Sequence, residues 1–151
     1  MNKTDPDRDT LRHALDIEWQ DHFQTRRQTW RTLEIVAILL LGFVAADLRL
    51  NSTWVTIVLG FLVILASLAG VSISLHHREA QVRKFTHIDR LEDALGLHRT
   101  GLLDDVHPPR SFTWADVLNP RRMNTPLFVL RMHLFIFIFV VVYMLARSFF
   151  V

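Results

Sequence analysis

Ionisable residues stand at the borders of three long apolar runs. Glu34 opens the first run, His76 and His77 close the second, and Arg131 with His133 opens the third. If the runs cross a membrane, these five residues share one depth near the cytoplasmic interface. Such residues are often functional, so this interfacial polar cluster is a candidate proton relay or pH sensor. Anchoring and ion pairing at headgroup depth explains them more simply, and we favour it.

A metal site is the second chemistry that these residues could support. His76 and Glu79 are three residues apart on one predicted helix, and imidazole with carboxylate can bind Zn²⁺ or iron. His133 is a third candidate, but the spacing is a weak pattern. The chain has no cysteine, which excludes thiolate ligands and disulfides. We therefore predict neither a metal nor a cofactor.

Two opposite charges lie at the other ends of the runs. Asp47 and Arg147 should share one depth, and a salt bridge between them would reduce the cost of both charges. Asp47 could instead pair locally with Arg49. Reversing both charges together tests the pair between helices.

Motifs of enzymes and of nucleic-acid-binding domains are absent. The sequence has no Gly-rich phosphate loop, no nucleophile elbow and no H-E-x-x-H. Its basic residues flank apolar runs instead of forming a nucleic-acid-binding face. We predict a protein that is not an enzyme and that binds no nucleic acid.

The apolar runs predict an all-α integral membrane protein with three transmembrane helices. The predicted spans are residues 32–50, 53–75 and 126–151. The second run is free of charge and about 20 residues long, enough to cross a bilayer. The apolar run of the first span, from Leu33 to Leu48, is only about 24 Å long against about 30 Å of hydrocarbon, and a tight antiparallel hairpin joins it to the second span. The third begins at Pro126, and Arg131 or Arg147 must snorkel. Two spans plus a partly inserted C-terminal helix is the alternative.

Helices are also predicted outside the membrane. Residues 1–31 contain an amphipathic helix capped by Thr10, and residues 76–97 continue the second span until Gly96 ends it. Residues 98–125 form a linker in which Thr113 opens one short helix, placed at headgroup depth by Trp114. Most basic residues lie in these segments, which the positive-inside rule places in the cytoplasm. The N-terminus is then inside, the C-terminus outside, and a bacterial inner membrane the expected location.

Small residues recur at intervals of four on two predicted spans. This pattern lets helix backbones approach closely in lipid. It indicates packing within one hairpin or self-association. The residues are Ala66, Gly70 and Ser74 on the second span, and Gly42 and Ala46 on the first.

Over about residues 10–97, a cytoplasmic helix, a two-span hairpin and a returning helix follow one another. This layout resembles the two-span effector domains of bacterial nucleotide-signalled defence systems. The resemblance rests on architecture without a signature motif, and the third span departs from it. It implies a membrane effector.

Two functions fit the pattern. The first is a non-enzymatic structural, accessory or self-assembling subunit of a membrane complex, with the lipid bilayer, further copies or other membrane subunits as partners. The cytoplasmic apolar stripes then need a partner to cover them. The second is an oligomeric pore gated by its cytoplasmic helices. Polar residues that could line a lumen are few, and this favours the first: Thr56, Ser67, Ser74 and Asn51.

Overall fold

The computed structural model describes residues 8–97, 113–119 and 125–150, and these are helical apart from short connections. Three long helices and one short helix follow in order: α1 Arg8–Leu50, α2 Thr53–Ala94, α3 Trp114–Leu118 and α4 Thr125–Phe150. Helices α1 and α2 form a long antiparallel hairpin. Helix α4 packs along the half of the hairpin nearer its turn, so a three-helix bundle continues into a two-helix arm.

Two residues make the turn of the hairpin. Asn51 has a left-handed backbone with φ of 44°, and its N–H donates to the carbonyl of Asp47 at 2.9 Å. Asparagine tolerates this conformation better than most residues. Ser52 is extended and directly precedes α2. The predicted tight antiparallel hairpin is therefore confirmed.

The hairpin is held by a seam of buried residues, which on α2 are spaced alternately by four and three residues from Thr56 to Ser74. This heptad pattern is typical of antiparallel coiled coils, and it runs through both the apolar and the polar parts of the chain. Small and polar residues occupy much of it, so the helix backbones lie close together. On α2 the buried residues are Thr56, Gly60, Val63, Ser67, Gly70, Ser74, Gln81, Ile88 and Glu92.

The apolar stripes of the two-helix arm cover each other. Trp19 meets Phe85 edge-on with ring centroids 6.1 Å apart, and Ile88 and Leu95 are buried. The stripes therefore cover each other in part, and the expectation of an external partner stays a prediction. Phe23 and Ile17 remain more than half exposed.

The helix ends follow local chemistry. Gly96 has a left-handed backbone with φ of 75°. Its N–H donates to the carbonyl oxygen of Asp93, and the N–H of Leu97 donates to the carbonyl oxygen of Glu92. This is a Schellman motif, and it confirms the predicted stop at Gly96. The predicted cap at Thr10 is wrong, because α1 already begins at Arg8.

The linker at 98–125 lies largely outside the described residues. Within it, α3 covers Trp114–Leu118 directly after Thr113, which confirms the predicted short helix.

Two helices are long and apolar enough to cross a membrane, Thr53–Ala94 and Thr125–Phe149. In each, about a third or less of the most apolar stretch is buried inside the protein, 28% and 33%. A core helix of a soluble protein would be mostly buried. An α-helix of 42 residues is about 63 Å long. That is twice the hydrocarbon thickness of about 30 Å, so α2 extends well beyond one bilayer.

Candidate functional site

Asp47 lies at the centre of a polar cluster beside the hairpin turn. Its side chain is 1% exposed. The carboxylate accepts hydrogen bonds from the hydroxyl groups of Thr56 on α2 and Tyr143 on α4, the latter at 2.5 Å. Arg147 Nε lies 3.7 Å from Asp47 Oδ2, and its guanidinium also donates to the Asn51 side chain. Asp47 and Arg147 thus meet across α1 and α4.

This cluster ties three helices together at one carboxylate. Two hydroxyl donors and one guanidinium surround Asp47, so the buried charge is both paired and hydrogen-bonded. Such a group fixes the register of the three helices. The sequence reasoning named Thr56 only as a candidate for lining a lumen, and it missed Tyr143. The sequence carried one signal that Thr56 contacts Asp47. Asp47 lies four residues before Asn51 and Thr56 lies four residues after Ser52, so both are equally far from the hairpin turn.

The residues of the interfacial polar cluster lie in separate environments. Glu34 and His76 are exposed. His77 Nδ1 lies 2.9 Å from Thr29 Oγ1. Thr29 donates its one hydroxyl proton to the carbonyl of Thr25, so His77 is the donor in its bond to Thr29. His77 thus joins α2 to α1.

Arg131 supports α3. Its guanidinium donates to the carbonyl oxygens of Val117 at 2.8 Å and Asn119 at 2.5 Å. These carbonyls lie at the C-terminal end of α3, where a cation is favoured. Arg131 therefore fastens α3 to the start of α4.

His133 faces the hairpin. It is fully buried, and neither ring nitrogen has a hydrogen-bond partner among the described residues. Its ring lies where a Cβ on Gly70 would stand. Among the described residues, no three His, Asp or Glu side chains are placed to hold a metal ion. Of the three weak metal candidates, His76 and Glu79 are exposed and His133 is buried against α2.

The small residues differ in their surroundings. Gly70 and Ser74 are buried, while Ala66 and Ala46 are half-buried. Gly42 is exposed, and a Cβ there would meet nothing within 4 Å. Gly60 was not singled out from the sequence, yet it faces the Met144 side chain on α4. Its signal was the spacing of ten residues before Gly70, which keeps both glycines on one face of α2.

A pocket of about 220 Å³ lies where α1, α2 and the start of α4 meet, beyond the end of the apolar runs that is far from the hairpin turn. Its polar lining consists of His22, Arg26, Arg78, Gln81 and Thr125. Its apolar lining consists of Val82, Phe85 and Pro126. Arg26 also donates to Thr125 Oγ1 at 2.9 Å, which joins α1 to α4 at the rim. The sequence reasoning did not identify this pocket.

His22 is the buried histidine of this pocket. It is 7% exposed, its ring packs edge-on to Phe85 at 4.6 Å, and Nδ1 has no hydrogen-bond partner among the described residues. Burial lowers the pKa of His22, and the nearby charges of Arg26 and Lys84 lower it further. His22 is therefore neutral in the folded protein at neutral pH.

This pKa predicts an acid-sensitive arm. The unfolded chain takes up a proton at His22 below a pH of about 6.5, whereas the folded chain, in which the pKa of His22 is lowered, takes it up only at a lower pH. The stability contributed by neutral His22 is thus complete above that pH and falls as the pH drops. We expect the loss of stability between pH 7.5 and 5.5 to be smaller in His22→Gln, measured by denaturant unfolding. Exposed His13 is the control, and an H13Q effect as large as that of H22Q would contradict this assignment.

Comparison of the chain with protein-family models, curated proteins and solved structures found no match.

Proposed function

We propose that the chain spans a bacterial inner membrane three times and serves as a structural, accessory or self-assembling subunit of a membrane complex. The spans are residues 32–50, 53–75 and 126–151, with the N-terminus in the cytoplasm. Support for the first span comes from α1 itself, where Ile35, Ile38 and Leu41 face outward and are exposed. These side chains lie level with the outward-facing residues of α2 and α4, and lipid would cover all three faces together.

The observation that carries the proposal is the direction of the polar side chains. Within the spans, Thr56, Ser67 and Ser74 are buried between helices. Ser67 donates to the carbonyl of Val63 in its own helix, and Thr56 binds Asp47. The hydroxyl groups of Thr56 and Ser67 thus serve contacts within one copy of the chain, and that of Ser74 is buried without a hydrogen-bond partner among the described residues. A protein whose membrane-facing surface is apolar is suited to packing against lipid or other apolar helices.

The inward direction of the polar side chains also argues against an oligomeric pore. A lumen between copies needs polar groups on the outer face of each copy. In the described part of α2 from 53 to 75, the exposed polar residues are Thr53 beside the turn and Ser72. The remaining exposed positions there are apolar. Asn51 lies at the turn, where its side chain accepts from Arg147.

A cysteine-free chain allows a direct test. Single cysteines are placed at exposed positions, one on each helix: Leu41, Phe61 and Phe135. We expect thiol crosslinking in native membranes to join each copy to a second copy or another protein at one of these positions. A charged, membrane-impermeant thiol reagent should leave all three unmodified. A buried cysteine at Val63 is the matched control for crosslinking.

Two outcomes would contradict the subunit proposal. Modification of one exposed position by the charged reagent, together with ion flux in liposomes, would establish a hydrated lumen and overturn the subunit proposal. Absence of crosslinks at every exposed position would overturn it as well.

The topology is tested by labelling intact cells with the same membrane-impermeant reagent, where Leu50→Cys should react and Ile17→Cys should not.

A further inference from the structure

The two-helix arm leaves an apolar surface partly exposed beside the start of α4. Phe23 on α1 is 58% exposed, and its ring stacks on Trp19 with ring centroids 5.8 Å apart. Trp19 meets Phe85 of α2, and Val82 lies three residues before Phe85 on the wall of the pocket. We call the surface of Trp19, Phe23, Val82 and Phe85 the arm groove. We propose that the arm groove is the docking site for residues 102–106 of the same chain.

The arm groove continues the surface on which α4 packs. Within the apolar runs, α4 packs against both α1 and α2. Trp30 of α1 packs on Phe128 of α4 with ring centroids 5.8 Å apart, and Phe23 lies seven residues earlier on the same side of α1. On α2, Phe85 lines the pocket together with Pro126, the second residue of α4. The surface that α4 covers therefore extends past the start of α4 into the arm.

The course of the chain brings residues 98–112 back along the arm. Leu97 closes the end of α2 at the tip of the arm, and Thr113 precedes α3, which is fastened to the start of α4. The start of α4 shares the pocket with Arg78, so the return covers the rise from Arg78 to Ala94, about 24 Å. Residues 98–112 lie outside the described residues, and a segment of this length reaches at most roughly 50 Å. It is thus long enough to return along the arm, and both its ends are held beside it.

The apolar residues of this segment come level with the arm groove. At an even rise back from Leu97, residues 102–106 are roughly 8–14 Å from the tip, level with residues 85–89 of α2. Burying their apolar side chains against the exposed ring of Phe23 removes apolar surface of both partners from water. Apart from two prolines and Phe112, they include all the apolar residues of the segment: Leu102, Leu103 and Val106.

The tether favours this segment over a free partner. A segment attached at both ends near a surface has an effective concentration there in the millimolar range, which a separate protein does not reach. A second copy of the chain is the alternative occupant, and the crosslinks below distinguish the two. The docking concerns the arm alone, so it holds independently of the proposed membrane placement.

The first experiment is disulfide crosslinking in the full-length chain in detergent, since the chain has no cysteine of its own. A cysteine at Phe23 is combined with a second one in the segment, placed in turn at Leu102, Leu103 and Val106. We expect at least one pair to close about tenfold faster than the same segment cysteine paired with Ile17→Cys. Ile17 is the matched control because it is 53% exposed on the same helix, about 120° around from Phe23. Similar rates with both positions of α1 would overturn the docking.

Mixed chains identify the occupant. One chain carries Phe23→Cys, and the other carries Leu103→Cys. We expect these chains to crosslink much more slowly than the doubly substituted chain. If they crosslink as fast, the segment of a second copy occupies the arm groove, and docking within one chain is overturned.

The second experiment leaves the arm groove intact. In a variant whose other tryptophans are replaced by phenylalanine, iodide quenching of fluorescence measures the exposure of Trp19. We expect L102S/L103S/V106S to raise the quenching constant about threefold. The matched control, H98S/R99S/T100S, changes as many residues of the same segment and should leave the constant nearly unchanged. Equal effects of the two triple variants, or no effect of either, would overturn the docking, and circular dichroism shows whether the helices are intact.

Discussion

Gly70→Ala is expected to destabilise the bundle by about 2 kcal/mol. A Cβ at this position would overlap the ring of His133, which is fully buried. Overpacking of a tight contact costs about 1–3 kcal/mol, and here it exceeds the gain of up to about 1 kcal/mol that alanine brings to a helix. The measurement is the free energy of unfolding in mixed micelles.

Gly42→Ala is the matched control for this prediction. The same substitution at Gly42 places the methyl group in open space. It should therefore stabilise the chain by up to about 1 kcal/mol, through helix propensity alone. The two glycine substitutions thus have opposite expected effects on the free energy of unfolding.

In the double variant Gly70→Ala with His133→Ala, the new methyl group enters the space of the lost ring, so a coupling of about 1–2 kcal/mol is expected. If Gly70→Ala and Gly42→Ala changed the free energy of unfolding equally, α4 would not pack on Gly70.

The buried residues of the hairpin show which contacts can be predicted from sequence patterns and which cannot. The tight turn and the end of α2 at Gly96 were predictable, because they depend on a few local residues. The buried face of α1 outside the apolar run was not, because it consists of His22, Thr25 and Thr29. A search for apolar periodicity passes over such residues. Their burial depends on the close approach of α2, which α1 alone does not reveal.

Helix rotation explains why the interfacial polar cluster does not assemble. Residues at similar depth on different helices meet only if they also face the same side. Arg131 and His133 are two residues apart, which is about 200° around a helix. Arg131 therefore reaches α3 while His133 packs on Gly70. The sequence predicts depth from hydropathy, but rotation is set by the packing of all three helices.

Asp47→Ala should cost about 3–5 kcal/mol of stability. The substitution leaves the Arg147 guanidinium and the hydroxyl groups of Thr56 and Tyr143 without their shared acceptor. Removing one partner of a buried ion pair has a cost of this size. Asp47→Asn keeps one acceptor oxygen and should cost less. Glu34→Ala is the control, because it removes an exposed carboxylate near the other end of the same apolar run. It should change stability by less than about 0.5 kcal/mol.

Reversing the charges of Asp47 and Arg147 together separates the ion pair from the hydrogen bonds. From the sequence alone we would expect this reversal to restore stability, because only the two opposite charges are visible there. The structure predicts that it does not, because Thr56 and Tyr143 both donate to the carboxylate and an arginine at position 47 accepts nothing. The double reversal should therefore remain at least as unstable as Asp47→Ala. Recovery to the wild-type free energy of unfolding would show that the charge pair alone joins α1 to α4, with the hydroxyl groups as bystanders.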